Sequence, residues 1–352
     1  GEPAVTDTTP STMRAAVYRR PGVVEIVDHE VPGIGPDDVL VEVEYCGICG
    51  TDLHLVLDGW GVPDRVGGHE WSGRVVAAGD VAGIDVGTLV AGSADATCGA
   101  CDPCRAGRPS LCTNRAAAGD DGFQGAFAGF VAARAATVAP VPAGVDARSA
   151  AYAEPLSVAM HAITLAAPPP DARVMVFGAG PVGAAIVAVL RGRGVDDIVV
   201  VEPGSTRRRL AEQLGAATAT PDELDRPGHP QHLVDRPAHV VFEASGARSA
   251  AEVGLQQLAR GGTLMLVGTG VDHPRLDTNR VLLNELHVTG AFNYDADGFP
   301  ASLDLLASGR LPLEHLVEPE AVPLDGLLDA MHGLRSGDTA GKVLVRPSEE
   351  SR

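Results

Sequence analysis

Several residue types and patterns are scarce in this chain. Lysine occurs once in 352 residues, at Lys342, and aromatic residues make up only 4% of the chain. No run of about 18 apolar residues is present, and the N-terminus lacks the charged-then-apolar pattern of a signal peptide, so we expect a cytoplasmic protein. A formal net charge of −19 disfavours binding to the phosphate backbone of DNA or RNA.

Glycine, proline and small apolar residues are abundant instead. The chain has 43 glycines and 26 prolines, and 45% of its residues are hydrophobic. Its length leaves material for two cores, and this composition favours tight turns and βα units over a helical bundle. Residues 1–12 resemble a disordered tail.

One short stretch carries an unusual set of polar side chains. It reads Cys-Gly-Thr-Asp-Leu-His from Cys49 and Gly-Gly-His-Glu-Trp-Ser-Gly from Gly67. Thiolate and imidazole are ligands that Zn²⁺ prefers, and a carboxylate can complete a sphere that keeps one position open. Glycines beside the ligands, where loops need positive φ or close backbone approach, favour convergent turns; they are Gly47, Gly50, Gly67 and Gly68. The stretch predicts a catalytic zinc site.

A second cysteine cluster follows with the spacing C-x2-C-x2-C-x7-C; its members are Cys98, Cys101, Cys104 and Cys112. Four thiolates close a tetrahedral shell, so the cluster predicts a structural zinc in a lobe over residues 95–115. An iron–sulfur cluster is a competing interpretation of the same spacing. A nucleic-acid-binding zinc ribbon is a weaker one, because few arginines lie nearby.

The first half of the chain alternates short apolar runs with Gly and Pro turns, the pattern of a small β-barrel. Strands are predicted at Ala15–Tyr18, Val23–Val27, Val39–Tyr45, Trp71–Ala78 and Thr88–Ala91.

Arg173–Glu202 reads as a strand, a glycine-rich turn, a helix and a second strand that ends at an acidic residue. The turn contains Gly178, Gly180 and Gly183 in a G-x-G-x-x-G pattern, with Pro181 and Val182 between the last two. In this context the pattern predicts a dinucleotide-binding βαβ unit, with a pyrophosphate at the helix N-terminus.

The acidic end of this unit bears on the choice of coenzyme. Glu202 should accept hydrogen bonds from the ribose hydroxyls and repel a 2′-phosphate, which predicts NAD over NADP. Arginines 207–209 weaken this preference, although Arg207 can also stack on an adenine.

Further strands are predicted at Val240–Ala244, Leu264–Gly268 and Leu286–Phe292, which would complete six parallel strands. Amphipathic helices are predicted at Gly298–Gly309 and Leu324–Leu334. The final run Gly-Lys-Val-Leu-Val-Arg-Pro suits the barrel of the first domain better than a sheet that is already complete.

Together these motifs make the chain resemble the zinc-containing medium-chain dehydrogenase/reductase (alcohol dehydrogenase) family over residues 13–347. The carrying residues are G-I-C-G-T-D-L-H, G-G-H-E-W-S-G with Gly79, the four-cysteine lobe, E-P-L-S-V-A-M-H-A from Glu154, and G-A-G-P-V-G. Glu154 stands where the classical alcohol dehydrogenases have cysteine. The motif E-P-L-S-V that it begins resembles the polyol (sorbitol), threonine and butanediol dehydrogenase branch of the family.

The resemblance implies an α/β fold with a GroES-like β-barrel catalytic domain and a Rossmann, doubly wound parallel-sheet coenzyme domain. We expect the catalytic domain at 13–153, the NAD(P)-binding domain at 154–292 and a return to the catalytic domain at 293–352.

The resemblance also implies roles at the site. Cys49 and His69 become firm zinc ligands, with Glu70 and Glu154 as the other two candidates and Cys46 a core residue. Charge balance suggests that the two carboxylates do not both bind the metal, since a second one would make the site anionic and blunt its acidity. One would bind the metal, and the other would hydrogen-bond the bound water or substrate hydroxyl.

For the reaction, Thr51 should take the substrate proton and pass it through the coenzyme ribose toward His54, while Asp52 orients the metal ligands. Lys342 falls where the family often places a cation near the coenzyme phosphates.

The function predicted is zinc-dependent hydride transfer between a secondary alcohol, polyol or sugar-like substrate and NAD. Alternatives are a sugar or biosynthetic-pathway dehydrogenase on the same scaffold, or a non-catalytic NAD sensor. The last strand of the coenzyme sheet would be an exposed edge, so a homodimer or homotetramer is expected.

Overall fold

The computed structural model describes residues 9–93, 97–115 and 124–348. Most of the predicted N-terminal tail, residues 1–8, and the start of the predicted zinc lobe, residues 95 and 96, lie outside the described residues.

The first domain is a set of short, twisted strands, and each predicted strand is present. Its elements are β1 (Thr12–Arg20), β2 (Val23–Glu30), β3 (Asp38–Gly47), α1 (Gly50–Val56), β4 (Arg65–Val66), β5 (Glu70–Ala78), β6 (Leu89–Gly92), α2 (Asp102–Arg105), β7 (Phe130–Arg134), β8 (Val138–Pro140) and α3 (Ala147–Ala150). Strands β2, β1 and β4 form one sheet, while β3, β5, β6 and β8 lie in order in a second, with β7 on β3. Both edges of the zinc stretch are therefore fixed by strands: β3 ends just before Cys49, and β5 begins at Glu70.

The second domain contains the parallel sheet. Its elements are α4 (Ala153–Ala166), β9 (Val174–Phe177), α5 (Pro181–Gly192), β10 (Ile198–Val201), α6 (Ser205–Gln213), β11 (Ala217–Ala219), β12 (Ala238–Glu243), α7 (Arg248–Gln256), β13 (Leu258–Leu266), α8 (Thr278–Leu283) and β14 (His287–Gly290). The strand order is β11-β10-β9-β12-β13-β14, and every pairing is parallel. The prediction of a six-stranded, doubly wound sheet is confirmed.

The remaining elements are α9 (Gly298–Ala307), α10 (Leu313–Leu316), β15 (Val322–Pro323), α11 (Leu327–Ser336) and β16 (Leu344–Arg346). Strand β16 pairs antiparallel with β3, so the predicted return of the last strand to the barrel is confirmed.

Helix α9 packs on α4, and its Phe299, Leu303 and Leu306 belong to a buried cluster that also includes Ala91 of β6 and Leu344 of β16. Leu324, Leu327 and Met331 lie in the core of the barrel. The domain boundary expected at residue 293 stays a prediction.

Within the described residues, no helix is long and apolar enough to span a membrane.

Candidate active site

Three of the predicted ligands converge at one point. The sulfur of Cys49, a ring nitrogen of His69 and a carboxylate oxygen of Glu70 all lie within 4.8 Å of one another. Cys49 caps the N-terminus of α1, and Glu70 opens β5, so a strand-to-helix turn and a strand start aim the side chains at a common centre. A thiolate, an imidazole and a carboxylate form a donor set that suits zinc and leaves a fourth position open.

Glycine is required at two positions around this centre. Gly68 has φ of +94°, and a Cβ there would lie 2.8 Å from the sulfur of Cys46. A Cβ on Gly47 would lie 2.2 Å from Oε2 of Glu70. A side chain at Gly47 would displace Glu70, and one at Gly68 would clash with the core residues Cys46 and Phe127 beside His69. The close approach predicted from the glycines is confirmed at these two positions, whereas Gly67 makes ordinary contacts and Gly50 faces open space.

Cys46 itself is fully buried in the barrel core, as expected.

Asp52 lies beneath the ligands and is buried. Its Oδ2 accepts the backbone N–H of Cys49 at 2.8 Å, and its Oδ1 lies 3.7 Å from Nδ1 of His69. Burial lowers the pKa of His69, but the negative charges of Asp52 and Cys49 outweigh burial and raise this pKa well above its ordinary value. The site thus gathers anionic groups that a divalent cation would neutralise.

Glu154 and Glu70 occupy different environments. Glu154 is buried in the first turn of α4 but is not among the groups that converge with Cys49 and His69. Burial and the charge of Glu70 raise the pKa of Glu154 to about 7. The geometry therefore favours Glu70 as the metal-binding carboxylate, and Glu154 can carry a proton near neutral pH.

Lys342 lies at this site and not beside the glycine-rich turn. Its Nζ donates to both oxygens of Glu70, at 2.6 and 2.8 Å, and to the carbonyl of Ile48 at 2.9 Å. Lys342 and Glu70 are almost fully buried, at 1% and 0% side-chain exposure. Because the ammonium of Lys342 donates its hydrogen bonds to buried acceptors, the structure does not support the expected contact with coenzyme phosphates.

The proton-relay candidates lie on α1. Thr51 is exposed in the first turn of this helix, and both Thr51 and His54 line a cavity of about 750 Å³ between the two domains. The same cavity reaches Cys49, Glu154 and the glycine-rich turn.

The glycine-rich turn joins β9 to α5. Gly178 has φ of +92°, and a Cβ on Gly183 would lie 2.0 Å from the carbonyl oxygen of Gly178. Gly180 caps α5 and would place a Cβ in open space, which leaves the helix N-terminus free to receive a pyrophosphate. Pro181 and Val182 form the first turn of α5 and line the cavity.

Glu202 follows β10 and bends back over the turn. Its Oε2 accepts the N–H of Ala179 at 3.0 Å and its Oε1 accepts the N–H of Gly204 at 2.8 Å. Arg207 lines the same cavity and donates to the carbonyl of Leu334 at 2.6 Å.

The four cysteines of the predicted zinc lobe also converge. The sulfurs of Cys98, Cys101, Cys104 and Cys112 lie within 4.8 Å of one another. Backbone N–H groups lower the pKa of Cys98 and lower that of Cys101 to about 5, whereas burial and the neighbouring thiols of Cys101 and Cys112 raise the pKa of Cys104 to about 12. The convergence of four cysteine sulfurs fits a closed tetrahedral zinc shell.

Apolar and aromatic side chains complete the lining of the cavity. Val62, Phe292 and Asn293 line the cavity, whereas Trp60 is 48% exposed and stacks on the ring of His54, 4.7 Å between centroids. Arg115 also lines the cavity, with its guanidinium 4.2 Å from the centre of the Phe292 ring.

Sequence reasoning missed two charged residues beside His54. Asp58 lies 2.6 Å from Nδ1 of His54 and pairs with Arg335 of α11. The i,i+4 spacing of His54 and Asp58 is the signal that points to the first contact. No local pattern reveals Arg335, which is 277 positions from Asp58.

Known proteins share both halves of this architecture. Residues 35–143 match the alcohol dehydrogenase GroES-like domain, and residues 181–308 match the zinc-binding dehydrogenase domain. The chain is 32% identical over 359 residues to the sorbitol dehydrogenase of Bacillus subtilis, covering 98% of this chain and 100% of that protein.

Solved structures agree with these matches. The fold is similar to a zinc-binding dehydrogenase of Sinorhizobium meliloti bound to NADP, with TM-score 0.83, 31% identity and coverage of 96% of this chain and 100% of that one. It is also similar to the 2R,3R-butanediol dehydrogenase of Bacillus subtilis, with TM-score 0.82, 27% identity and coverage of 95% and 99%. The resemblance noted in the sequence is confirmed: the chain belongs to the zinc-containing medium-chain dehydrogenase/reductase family and is an NAD(P)-dependent zinc oxidoreductase.

Proposed function

We propose that this enzyme transfers hydride between a secondary alcohol, polyol or sugar-like substrate and NAD. The observation that carries the proposal is the convergence of Cys49, His69 and Glu70 on a cavity that also contains the glycine-rich turn at Gly178–Gly183. A metal with one open position and a nicotinamide ring would meet in this cavity. The glutamate at position 154 and the similarity to sorbitol and butanediol dehydrogenases support polyols and secondary alcohols over ethanol.

In this mechanism Cys49, His69 and Glu70 would hold the zinc, which when bound would supply Lewis acidity toward a substrate hydroxyl, with NAD as the hydride acceptor of the overall reaction. Glu154 hydrogen-bonds the substrate hydroxyl or a water in the open position. Asp52 orients Cys49 through its backbone N–H and faces the ring of His69. Lys342 offsets the charge of Glu70, so the ligand set stays close to electrically neutral even with Asp52 beneath it.

The proton leaves the site along α1. Thr51 accepts the hydroxyl proton of the substrate, and His54 exchanges it with solvent. Both side chains line the cavity and lie on consecutive turns of one short helix, which supports a relay from the metal toward the surface. The four-cysteine lobe would hold a structural zinc, and a cytoplasmic location agrees with six cysteines that form no disulfide.

The coenzyme preference rests on Glu202. Its carboxylate is buried over the turn that receives the adenosine half, where a 2′-phosphate would meet a negative charge. Arg207 lies in the same cavity but is engaged with the carbonyl of Leu334.

A substrate screen with the purified enzyme tests the function. We expect reduction of NAD with sorbitol and with butanediol, slower reduction with NADP, and little reaction with ethanol. The Thr51→Ala variant should lose most turnover, about 100-fold, because the relay begins at its hydroxyl. Metal analysis of the same variant should show an unchanged zinc content, since Thr51 is not a ligand.

Three outcomes would count against the proposal. Near-normal turnover of Thr51→Ala would refute the proton relay. A lower KM for NADP than for NAD would reverse the coenzyme assignment. Coenzyme binding without oxidation of any alcohol would favour the NAD-sensing alternative.

We also propose a homodimer formed through the edge of the coenzyme sheet. Strand β14 is the terminal strand of that sheet, and its Val288 is 36% exposed; Leu282 and Leu283 of the preceding helix α8 are 73% and 45% exposed. Pairing two such edges would satisfy the free backbone groups and bury this apolar surface.

Val288→Lys should convert the dimer into a monomer, because a charge on an edge strand opposes pairing. Light scattering should show the mass fall from twice 36.1 kDa to 36.1 kDa. Val81→Lys is the matched control, since Val81 is 66% exposed on the barrel and away from β14. A wild-type monomer, or equal effects of the two substitutions, would contradict this interface.

A further inference from the structure

His54 is held by contacts on both sides of its ring. Its Nδ1 lies 2.6 Å from Oδ2 of Asp58, and its Nε2 lies 3.1 Å from the backbone carbonyl oxygen of Thr269. The ring of Trp60 covers one face, 4.7 Å away and inclined by 19°. Only 17% of the His54 side chain remains exposed. A residue with these contacts has one orientation, unlike a histidine free in solvent.

Asp58 is itself fixed from the opposite side. Arg335, in the last turn of α11, donates to both oxygens of Asp58 at 2.9 Å. Such bidentate pairs have a defined geometry. The hydrogen bonds from Arg335 lower the pKa of Asp58 to about 2, so this carboxylate is ionised and accepts hydrogen bonds only.

The carbonyl on the other side is equally constrained. Thr269 lies in a turn of the coenzyme domain that packs backbone to backbone against Gly246. A Cβ on Gly246 would lie 1.9 Å from the oxygen of Thr269, and a Cβ on Gly270 would lie 1.8 Å from the oxygen of Gly246. The Thr269 carbonyl therefore presents a fixed acceptor to His54.

Because both ring nitrogens face acceptors, the doubly protonated imidazolium satisfies both contacts. When one proton leaves, the two nitrogens are not equivalent. The bond to an ionised carboxylate at 2.6 Å is charge-assisted, whereas the bond to a neutral carbonyl at 3.1 Å is not. The proton that departs is the one on Nε2.

We propose that Asp58, held by Arg335, is a positioning residue that keeps His54 in the Nδ1–H tautomer, so that Nε2 takes up and releases the proton. This inference rests on the proposed relay through His54. Oxidation of one alcohol molecule to a carbonyl compound sends two electrons and one proton to NAD as hydride and leaves one proton over. Nε2 accepts that proton and gives it to water, and Nδ1–H remains on Asp58 throughout.

If Asp58 only linked α1 to α11, its contacts with His54 and Arg335 would be the same. That role would not depend on which atom donates in the hydrogen bond between His54 and Asp58. Asp58→Asn separates the two roles because it is isosteric. The amide oxygen would turn to Arg335, which only donates, and the NH₂ would then face Nδ1 of His54 and require it to accept. Neutral His54 would keep its proton on Nε2, where the Thr269 carbonyl accepts it.

The first readout uses the coenzyme-free protein. ¹⁵N spectra of the histidine rings distinguish protonated from unprotonated nitrogens, and the His54 signals are assigned by their loss in His54→Gln. We expect neutral His54 to be predominantly Nδ1–H in the wild type and in Asp58→Glu, and predominantly Nε2–H in Asp58→Asn. An unchanged tautomer in Asp58→Asn would overturn the proposal.

The second readout is kinetic. The kcat of Asp58→Asn should fall about tenfold, with little change in the KM of the alcohol, because proton transfer by a positioned group contributes at least this much. Added imidazole buffer should restore part of the lost rate, since an external base can replace a misoriented one. Glu252→Gln, which breaks an exposed 2.9 Å pair with Arg248, is the control and should change neither readout.

The outcomes separate this inference from the proposed function. If His54→Gln retains normal turnover, the relay itself fails. If His54→Gln loses turnover while Asp58→Asn keeps full activity, the relay stands and the positioning role of Asp58 is refuted.

Discussion

Replacing Cys49 with alanine should abolish alcohol oxidation while leaving the folded enzyme able to bind NADH. We expect kcat to fall by at least about 10³-fold, because a Lewis-acid metal is worth several kcal/mol and each 1.4 kcal/mol is a factor of ten. Zinc analysis should find one ion per chain in place of two, since the four cysteines of the lobe are separate from the group of Cys49, His69 and Glu70. NADH binding, followed by fluorescence, should persist because the glycine-rich turn is untouched.

Cys46→Ala is the matched control for this substitution. Cys46 lies three positions earlier, but its side chain is buried in the barrel core and contributes no ligand. Its variant should keep both zinc ions and nearly normal turnover, with a small loss of stability from the lost packing. If Cys46→Ala loses zinc and Cys49→Ala retains it, the assignment of Cys49 as the metal ligand is wrong.

The second large effect is expected at Lys342, whose ammonium neutralises Glu70 inside the protein. Removing one partner of a buried ion pair typically costs about 3–5 kcal/mol, because the remaining charge is left without compensation. Lys342→Met should show this loss when the catalytic zinc is absent. Urea denaturation of Lys342→Met in a Cys49→Ala background, which lacks that zinc but keeps the lobe, measures it directly.

The charge of the catalytic zinc should reduce the loss of stability caused by Lys342→Met. With zinc beside Glu70, the carboxylate keeps a cationic neighbour, so Lys342→Met should cost less in the wild-type background than in Cys49→Ala. The double-mutant cycle isolates this coupling. Adding Glu70→Gln to Lys342→Met in the Cys49→Ala background should recover most of the stability, because no buried charge remains. Equal costs in both backgrounds would mean that zinc and Lys342 do not share Glu70.

Local sequence patterns predict much of the fold and of the candidate site. The apolar strand, the glycine turn and the helix that follow Arg173 predict the βαβ unit because each glycine answers a local backbone requirement, as at Gly178 and Gly183. The four-cysteine spacing predicts a closed cluster for the same reason, since ligands within one short loop need no distant element to bring them together. The zinc stretch predicted Cys49 and His69 from residues only twenty positions apart.

Other features depend on packing between distant segments. Lys342 was expected near the coenzyme, but β16 pairs with β3 and carries the chain back beside the metal site, where Lys342 meets Glu70 from 272 positions away. A contact between residues so far apart in the chain has no signature in a short window of sequence.

The amino-acid sequence by itself determined the donor types, the glycine-dependent turns and the parallel sheet, because these depend on side-chain chemistry and on backbone conformation within a few residues. Only the tertiary structure decided that Glu70 and not Glu154 converges with Cys49 and His69, that Lys342 offsets Glu70, and that Asp58 and Arg335 hold His54. These contacts form where β16 and α11 pack against the barrel. Burial there excludes water, so each charged group strongly affects its neighbours.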